Sequence, residues 1–162
     1  MPAGLPLTVS RKDLLADGTD DVFRTLVIDL LHFGAALQQA RERIARGMGV
    51  SAPQYAILMV VARSAAQGPS VSDVAATLRV SVPFVVAQNR CLVAAGLLAK
   101  RADAQDGRRV RLVLTAHCRA ALKRLAPMQR QMNDALFEDL DAVEFRTLHA
   151  IMRKLTEKGE GS

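Results

Sequence analysis

The stretch "DAQDGRRVRLVLT", Asp103–Thr115, decides the reading of this chain. A polar turn containing Gly107 runs into a segment with Val110, Leu112 and Leu114 on one face and Arg109, Arg111 and Val113 on the other. Alternation with a period of two, bounded by a Gly-containing turn, is the pattern of a strand. "LLAKRA", Leu97–Ala102, has strand character on the other side of the turn, so the two segments read as a hairpin. Its tip carries Arg108 and Arg109 just behind Asp103 and Asp106. Two adjacent arginines on a short protruding turn suit a probe better than a solubilising face.

Helices surround this hairpin. Thr115 caps one from about Ala116, with Leu122, Leu125, Met128 and Met132 as its apolar stripe and Pro127 expected to kink it. Asp141 caps the last helix, where Phe145, Leu148, Met152 and Leu155 keep helical spacing. Before the hairpin, "SVPFVVAQNRCLVAAG" reads as a helix capped by Ser81, with Pro83 in its first turn and Gly96 closing it. "SVSDVAATLRV" is a short helix capped by Ser70 or Ser72. "SAPQYAILMVVARSAAQG" starts at Ser51 with Pro53 in its first turn, and Gly68–Pro69 ends it. It is apolar almost all round, which predicts the buried central helix.

A long helix begins at Asp20. Phe23, Leu26, Leu30, Phe33, Leu37, Ala40 and Ile44 form a seam about 30 Å long. Val27 and Leu31 add a second stripe, and Gly47 and Gly49 are stop signals. Residues 1–18 hold two Pro and two Gly without a sustained period, and read as an extended arm.

Composition narrows the function. The 162 residues carry 22 basic and 16 acidic side chains, a net charge of +6, which favours a polyanionic partner. Five Phe, one Tyr and no Trp are too few for a base-stacking platform. Cys91 and Cys118 stand in no metal-binding spacing, so no metal or other cofactor is expected. No Ser/His/Asp set, paired carboxylates or phosphate-cradling Gly loop appears, so an enzyme is not expected. The N-terminus lacks the pattern of a signal peptide and no apolar run is long enough to span a bilayer, so a cytoplasmic protein without membrane contact is expected.

The order of elements is the plan of a winged helix-turn-helix. The sequence resembles the multiple-antibiotic-resistance regulator (MarR) family of bacterial transcription factors over roughly residues 20–155. "SAPQYAILMVVA", "SVSDVAATLRVS", "AAGLLAKRADAQDGRR" and "RLVLT" carry the resemblance, and Asp106-x-Arg108 followed by Leu114-Thr115 is its most specific part. The fold expected is all-α with a small β-hairpin wing and long N- and C-terminal dimerisation helices. The expected boundaries are an arm over 1–18, dimerisation helices over 19–50 and 116–158, and a DNA-binding domain over 51–115 with its wing at about 98–115, all in one compact unit. The resemblance implies an obligate homodimer on pseudo-palindromic duplex operator DNA, commonly a repressor, released by a small aromatic carboxylate or phenol.

For DNA contact the residues expected are Ser81, Pro83, Gln88, Asn89 and Arg90 of the second motif helix, and Arg101, Asp106, Arg108 and Arg109 of the wing. A hairpin tip can hold Arg in the narrow minor groove, where the negative potential is strongest. Asp106 then holds Arg108 in place. The sequence departs from the family at the second motif helix, where "VPFVVA" stands in place of the usual Ser, Thr and Arg. Gln or Asn can read adenine, and apolar groups can touch thymine methyls. For the effector the resemblance points to His32, Phe33, Gln38, Met48, Tyr55 and Met59, with core packing the better reading of Tyr55. Cys91 reads as a small buried core residue. Two rival readings stand beside the operator-binding one: a redox-responsive regulator acting through Cys91, and a winged-helix dimer used for protein contacts with weak DNA binding.

Overall fold

A computed structural model of the chain describes residues 6–103, 106 and 109–158. Among these residues there are six α-helices and one two-stranded antiparallel hairpin, so the fold is the mostly helical winged-helix plan expected. The order is α1 (Asp21–Gly47), α2 (Ala52–Arg63), α3 (Val71–Leu78), α4 (Val82–Ala94), β1 (Leu98–Ala102), β2 (Val110–Leu114), α5 (Ala116–Leu136) and α6 (Ala142–Lys158). The chain divides into two compact units, Met1–Gln39 and Ala40–Ser162.

In the first unit the arm is anchored locally. Asp20 is buried and accepts hydrogen bonds from the Thr8 backbone and hydroxyl, at 2.7 and 2.6 Å, and from Arg24 Nε at 2.9 Å. Arg24 also donates to the Pro6 carbonyl. A short 3-10 turn, Lys12–Leu14, interrupts the arm. The Arg24 guanidinium and the Thr8 donors hold the Asp20 carboxyl far below its ordinary range. Along α1, Val22, Leu26, Val27, Ile28, Leu30, Leu31 and Phe33 remain exposed.

The second unit is built on α2. Ser51 and Gln54 form a capping box at its start, with Pro53 in the first turn, so its first backbone donors are satisfied locally. Tyr55, Ala56, Ile57, Leu58 and Val61 are buried, as expected of a central helix. It ends at Arg63, short of the expected Gly68: the Ser64 hydroxyl bonds back to the Val60 carbonyl and Ser64 turns extended. Ser70, rather than Ser72, caps α3, in a second capping box with Asp73. Thr115 caps α5, which continues through Pro127. Asp141 Oδ1 accepts from the Val143 and Glu144 amides at the start of α6.

The main core joins Ile57, Leu58 and Val61 of α2, Val74 and Ala75 of α3, Val85 and Leu92 of α4, and Leu98, Leu112 and Leu114 of the hairpin. The register pairs Leu98 with Leu114 and Arg101 with Arg111. Leu112 and Leu114 point into the core as the alternation required, but Val110 is 43% exposed, because its end of the strand lies beyond the buried cluster. A smaller cluster gathers Ile44, Ala45 and Tyr55 with Met48, Met59, Leu122, Met128 and Met132. The exposed apolar residues of α6 include Val143, Phe145, Ile151, Met152 and Leu155.

Candidate nucleic-acid interface

The helix-turn-helix turn is closed without a glycine. Arg79 adopts a left-handed conformation, φ 54°, after α3, and Val80 N–H donates to the Ala75 carbonyl. The Arg79 guanidinium donates to the Thr156 carbonyl near the end of α6 at 2.8 Å. That bond gives a long side chain a role at a position where the backbone favours glycine. From this turn α4 starts at its cap Ser81, whose Oγ accepts from Phe84 N–H.

α4 turns Val85, Asn89 and Leu92 inward. Asn89 is only 2% exposed, so the expected base contact through Asn89 is corrected: it lies four residues from Val85, on the buried side of the helix. Neither its amide nitrogen nor its oxygen has a hydrogen-bond partner among the described residues. Cys91 is corrected the other way: it is exposed, while the buried thiol is Cys118, which desolvation keeps in the protonated form. Gln88 is half-buried and its Oε1 accepts from Gln54 Nε2 at 3.1 Å. That Gln54 amide oxygen is itself held by the Ser51 backbone N–H. Ser81, Pro83 and Arg90 are exposed, in company with Val82, Phe84, Val86 and Ala87.

The wing is fixed at its base by a charge cluster that sequence reasoning missed. Arg111 Nε donates to the buried Asp103 at 2.5 Å, and Arg111 Nη1 lies 3.4 Å from Asp73 at the start of α3. The hairpin is thereby tied to the first motif helix by one guanidinium held between two carboxylates. Asp73 accepts from the Ser70 backbone and lies close to its hydroxyl, and with Arg111 nearby its carboxyl is held below the ordinary range. Arg101 sits directly across from Arg111 and is exposed, so the paired cations are separated in role: one neutralised, one free to face solvent. The only sequence signal for this arrangement was that Arg111 breaks an otherwise apolar strand.

Toward the tip, Arg109 Nε pairs with Asp106 Oδ2 at 3.3 Å, and Arg109 N–H donates to the Asp106 carbonyl. Asp106 N–H donates in turn to Asp103 Oδ1. Asp106 therefore organises the turn, and Arg109 is a partner it holds. Arg108 lies outside the described residues.

The residues expected around an effector divide between the units. His32, Phe33 and Gln38 are exposed on α1 in the first unit. In the second, Met48 and Met59 pack about Tyr55, which is 2% exposed. Burial pushes the Tyr55 phenol up, and Arg41 opposes that shift. Its hydroxyl has no partner in hydrogen-bond geometry, although the Gln129 side chain lies beside it. A separate cavity of about 270 Å³ lies between the end of α2, β2 and Arg119, and none of the expected site residues lines it. Among the described residues no His, Cys, Asp and Glu cluster could hold a metal, and no single helix is long and apolar enough to cross a membrane.

An exposed second motif helix, a hairpin braced against the first, and long helices before and after them in the chain define a winged helix-turn-helix protein. Residues 48–109, the segment that holds the helix-turn-helix and most of the hairpin, match the sequence model of the MarR family. Over 84–91% of its length the chain is similar in fold to MarR-family transcriptional regulators. It is similar to AbsC, a MarR family transcriptional regulator from Streptomyces coelicolor, with 22% identity and a TM-score of 0.74, over 91% of this chain and 98% of that one. It is similar to Sco3205 from the same organism, solved in complex with DNA, with 20% identity and a TM-score of 0.70, over 89% of each chain. A third similar structure is CouR from Rhodococcus jostii RHA1 bound to p-coumaroyl-CoA, with 18% identity and a TM-score of 0.72, over 84% of this chain and 92% of that one. No curated protein sequence matches the chain.

Proposed function

We propose that this protein is a transcriptional regulator, most simply a repressor, that binds a pseudo-palindromic operator as a homodimer. The observation that carries the reading is the pairing of an exposed α4 with a hairpin braced by Asp103, Arg111 and Asp73, in a chain of net charge +6. A braced wing costs little ordering entropy when it meets DNA, so its cations can act in a fixed place. Ser81, Pro83 and Arg90 supply the helix contacts, and Arg101, Arg108 and Arg109 supply those of the wing. Selection from a pool of random duplexes tests this. Recovery of a two-fold related motif supports it, and a pool that yields no motif contradicts it.

Release by a small aromatic carboxylate or phenol is the second part of the proposal. Its support is the buried, unpartnered Tyr55 hydroxyl among methionines, a polar group that a ligand oxygen would satisfy. The ligand seen in CouR, an aromatic acyl thioester, belongs to the same broad chemistry. Titration calorimetry with benzoate and hydroxybenzoates, followed by operator binding, checks it. Absence of both heat and DNA release across the panel would remove this part. The exposed Cys91 supports a rival in which oxidation controls binding, and unchanged DNA affinity in Cys91→Ser after peroxide would exclude it.

A further inference from the structure

We infer that α4 reads the C5-methyl groups of thymine, so that each half-site presents a run of A·T pairs with a guanine within reach of Arg90. The inference rests on the operator-binding reading above. At 100° per residue, the side of α4 opposite Val85, Asn89 and Leu92 carries Pro83, Ala87 and Arg90, with Val86 on its flank. All four are exposed, Val86 at 37%. These positions in the first turns are the ones a recognition helix lays against base edges.

Of this stripe only Arg90 can hydrogen-bond through its side chain. The two amides able to read adenine are committed elsewhere. Asn89 points inward, and Gln88 lies half-buried on the inner flank of the helix, where its Oε1 accepts from Gln54. A major-groove edge offers hydrogen-bond donors and acceptors plus one apolar group, the thymine methyl. Proline, valine and alanine pressed against N7, O6 or N4 would strip water from those atoms and return no bond. Pressed against a methyl they bury apolar surface on both sides. The net charge of +6 and the exposed Arg90, Arg101 and Arg109 make a phosphate-lined groove the occupant of this face, in preference to an apolar protein surface.

The test uses the duplex recovered by selection, with deoxyuridine replacing thymine at one half-site position at a time. This change removes a methyl group and leaves every hydrogen-bonding atom in place. Binding of the full chain should weaken about fourfold at each contacted position, as expected for one buried methyl. That penalty should shrink at one position in Val86→Ala and at a neighbouring one in Ala87→Gly. Equal affinity for the thymine and uracil duplexes at every position would overturn the inference while selective binding left the operator reading standing. A penalty undiminished in both variants would also overturn it. A failed selection would overturn both readings together.

Discussion

Asp106 and Arg109 show how single residues divide the work at the wing. Their ion pair is exposed and stabilises the turn only slightly, by a few tenths of a kcal/mol. The brace below it is different, because Asp103 and Arg111 are largely withdrawn from water and each satisfies the other's charge. Arg108 has Asp106 two residues before it, and on the operator reading it enters the minor groove. Arg108→Ala should therefore weaken binding by about 1–3 kcal/mol across most duplex sequences, measured by anisotropy. Unchanged affinity would mean that the wing does not probe DNA. Asp20 supports a second prediction. Its folded carboxyl is held below the ordinary 3.8, so its contribution to stability is present above that value and is lost as pH falls through and below it. In urea unfolding, the stability gap between wild type and Asp20→Asn should be widest at neutral pH and close on acidification. A gap independent of pH would contradict the anchoring role of Thr8 and Arg24.

At the scale of elements, three helices end with the same closure. Val50 N–H reaches back to Ala45, Val80 to Ala75 and Leu97 to Leu92. Gly49 and Gly96 supply the left-handed residue for two of them, and both stops were legible in the sequence. Arg79 supplies the third, and nothing in local composition marked it. The caps at Ser51, Ser81, Thr115 and Asp141 were equally legible, because each uses a bond within three residues. The end of α2 was not, since Ser64 stops the helix by a backward bond that competes with an otherwise helical sequence. The facing of α4 was misread for a related reason. A helix with apolar residues on all sides has no amphipathic phase, and only packing on α2 and α3 decides that Asn89 goes in and Cys91 out. Gly68 tests how the hairpin is joined to the motif. It has φ +77°, and a Cβ there would lie 2.0 Å from the Leu112 carbonyl oxygen. Gly68→Ala should cost about 3 kcal/mol or more, read from thermal or urea unfolding. A loss below about 1 kcal/mol would show that the loop before α3 yields freely.

For the whole molecule, apolar surface is the governing quantity. α1 leaves Leu26, Leu30 and Leu31 in water, the last at 67% exposure, and α6 does the same with Val143, Phe145 and Leu155. Apolar seams of this length are costly to leave open and are ordinarily covered by another chain. Leu30→Asp combined with Leu37→Asp should give a monomer in sedimentation and lower operator affinity by on the order of a hundredfold, since one half-site then binds without the other. A folded monomer that binds the operator as tightly as wild type would contradict the dimer. The fold was legible because its helix order, caps and alternating hairpin are local signals. The interface was legible only in outline, because the brace from Asp73 through Arg111 to Asp103 joins residues far apart in the chain. The most direct measurement is fluorescence anisotropy of the selected duplex against a scrambled one of equal composition, across a salt series. Nanomolar, selective binding whose affinity falls steeply with salt is the predicted result. Weak binding, equal for both duplexes at every salt concentration, would contradict the account and leave α4 as a surface for a protein partner.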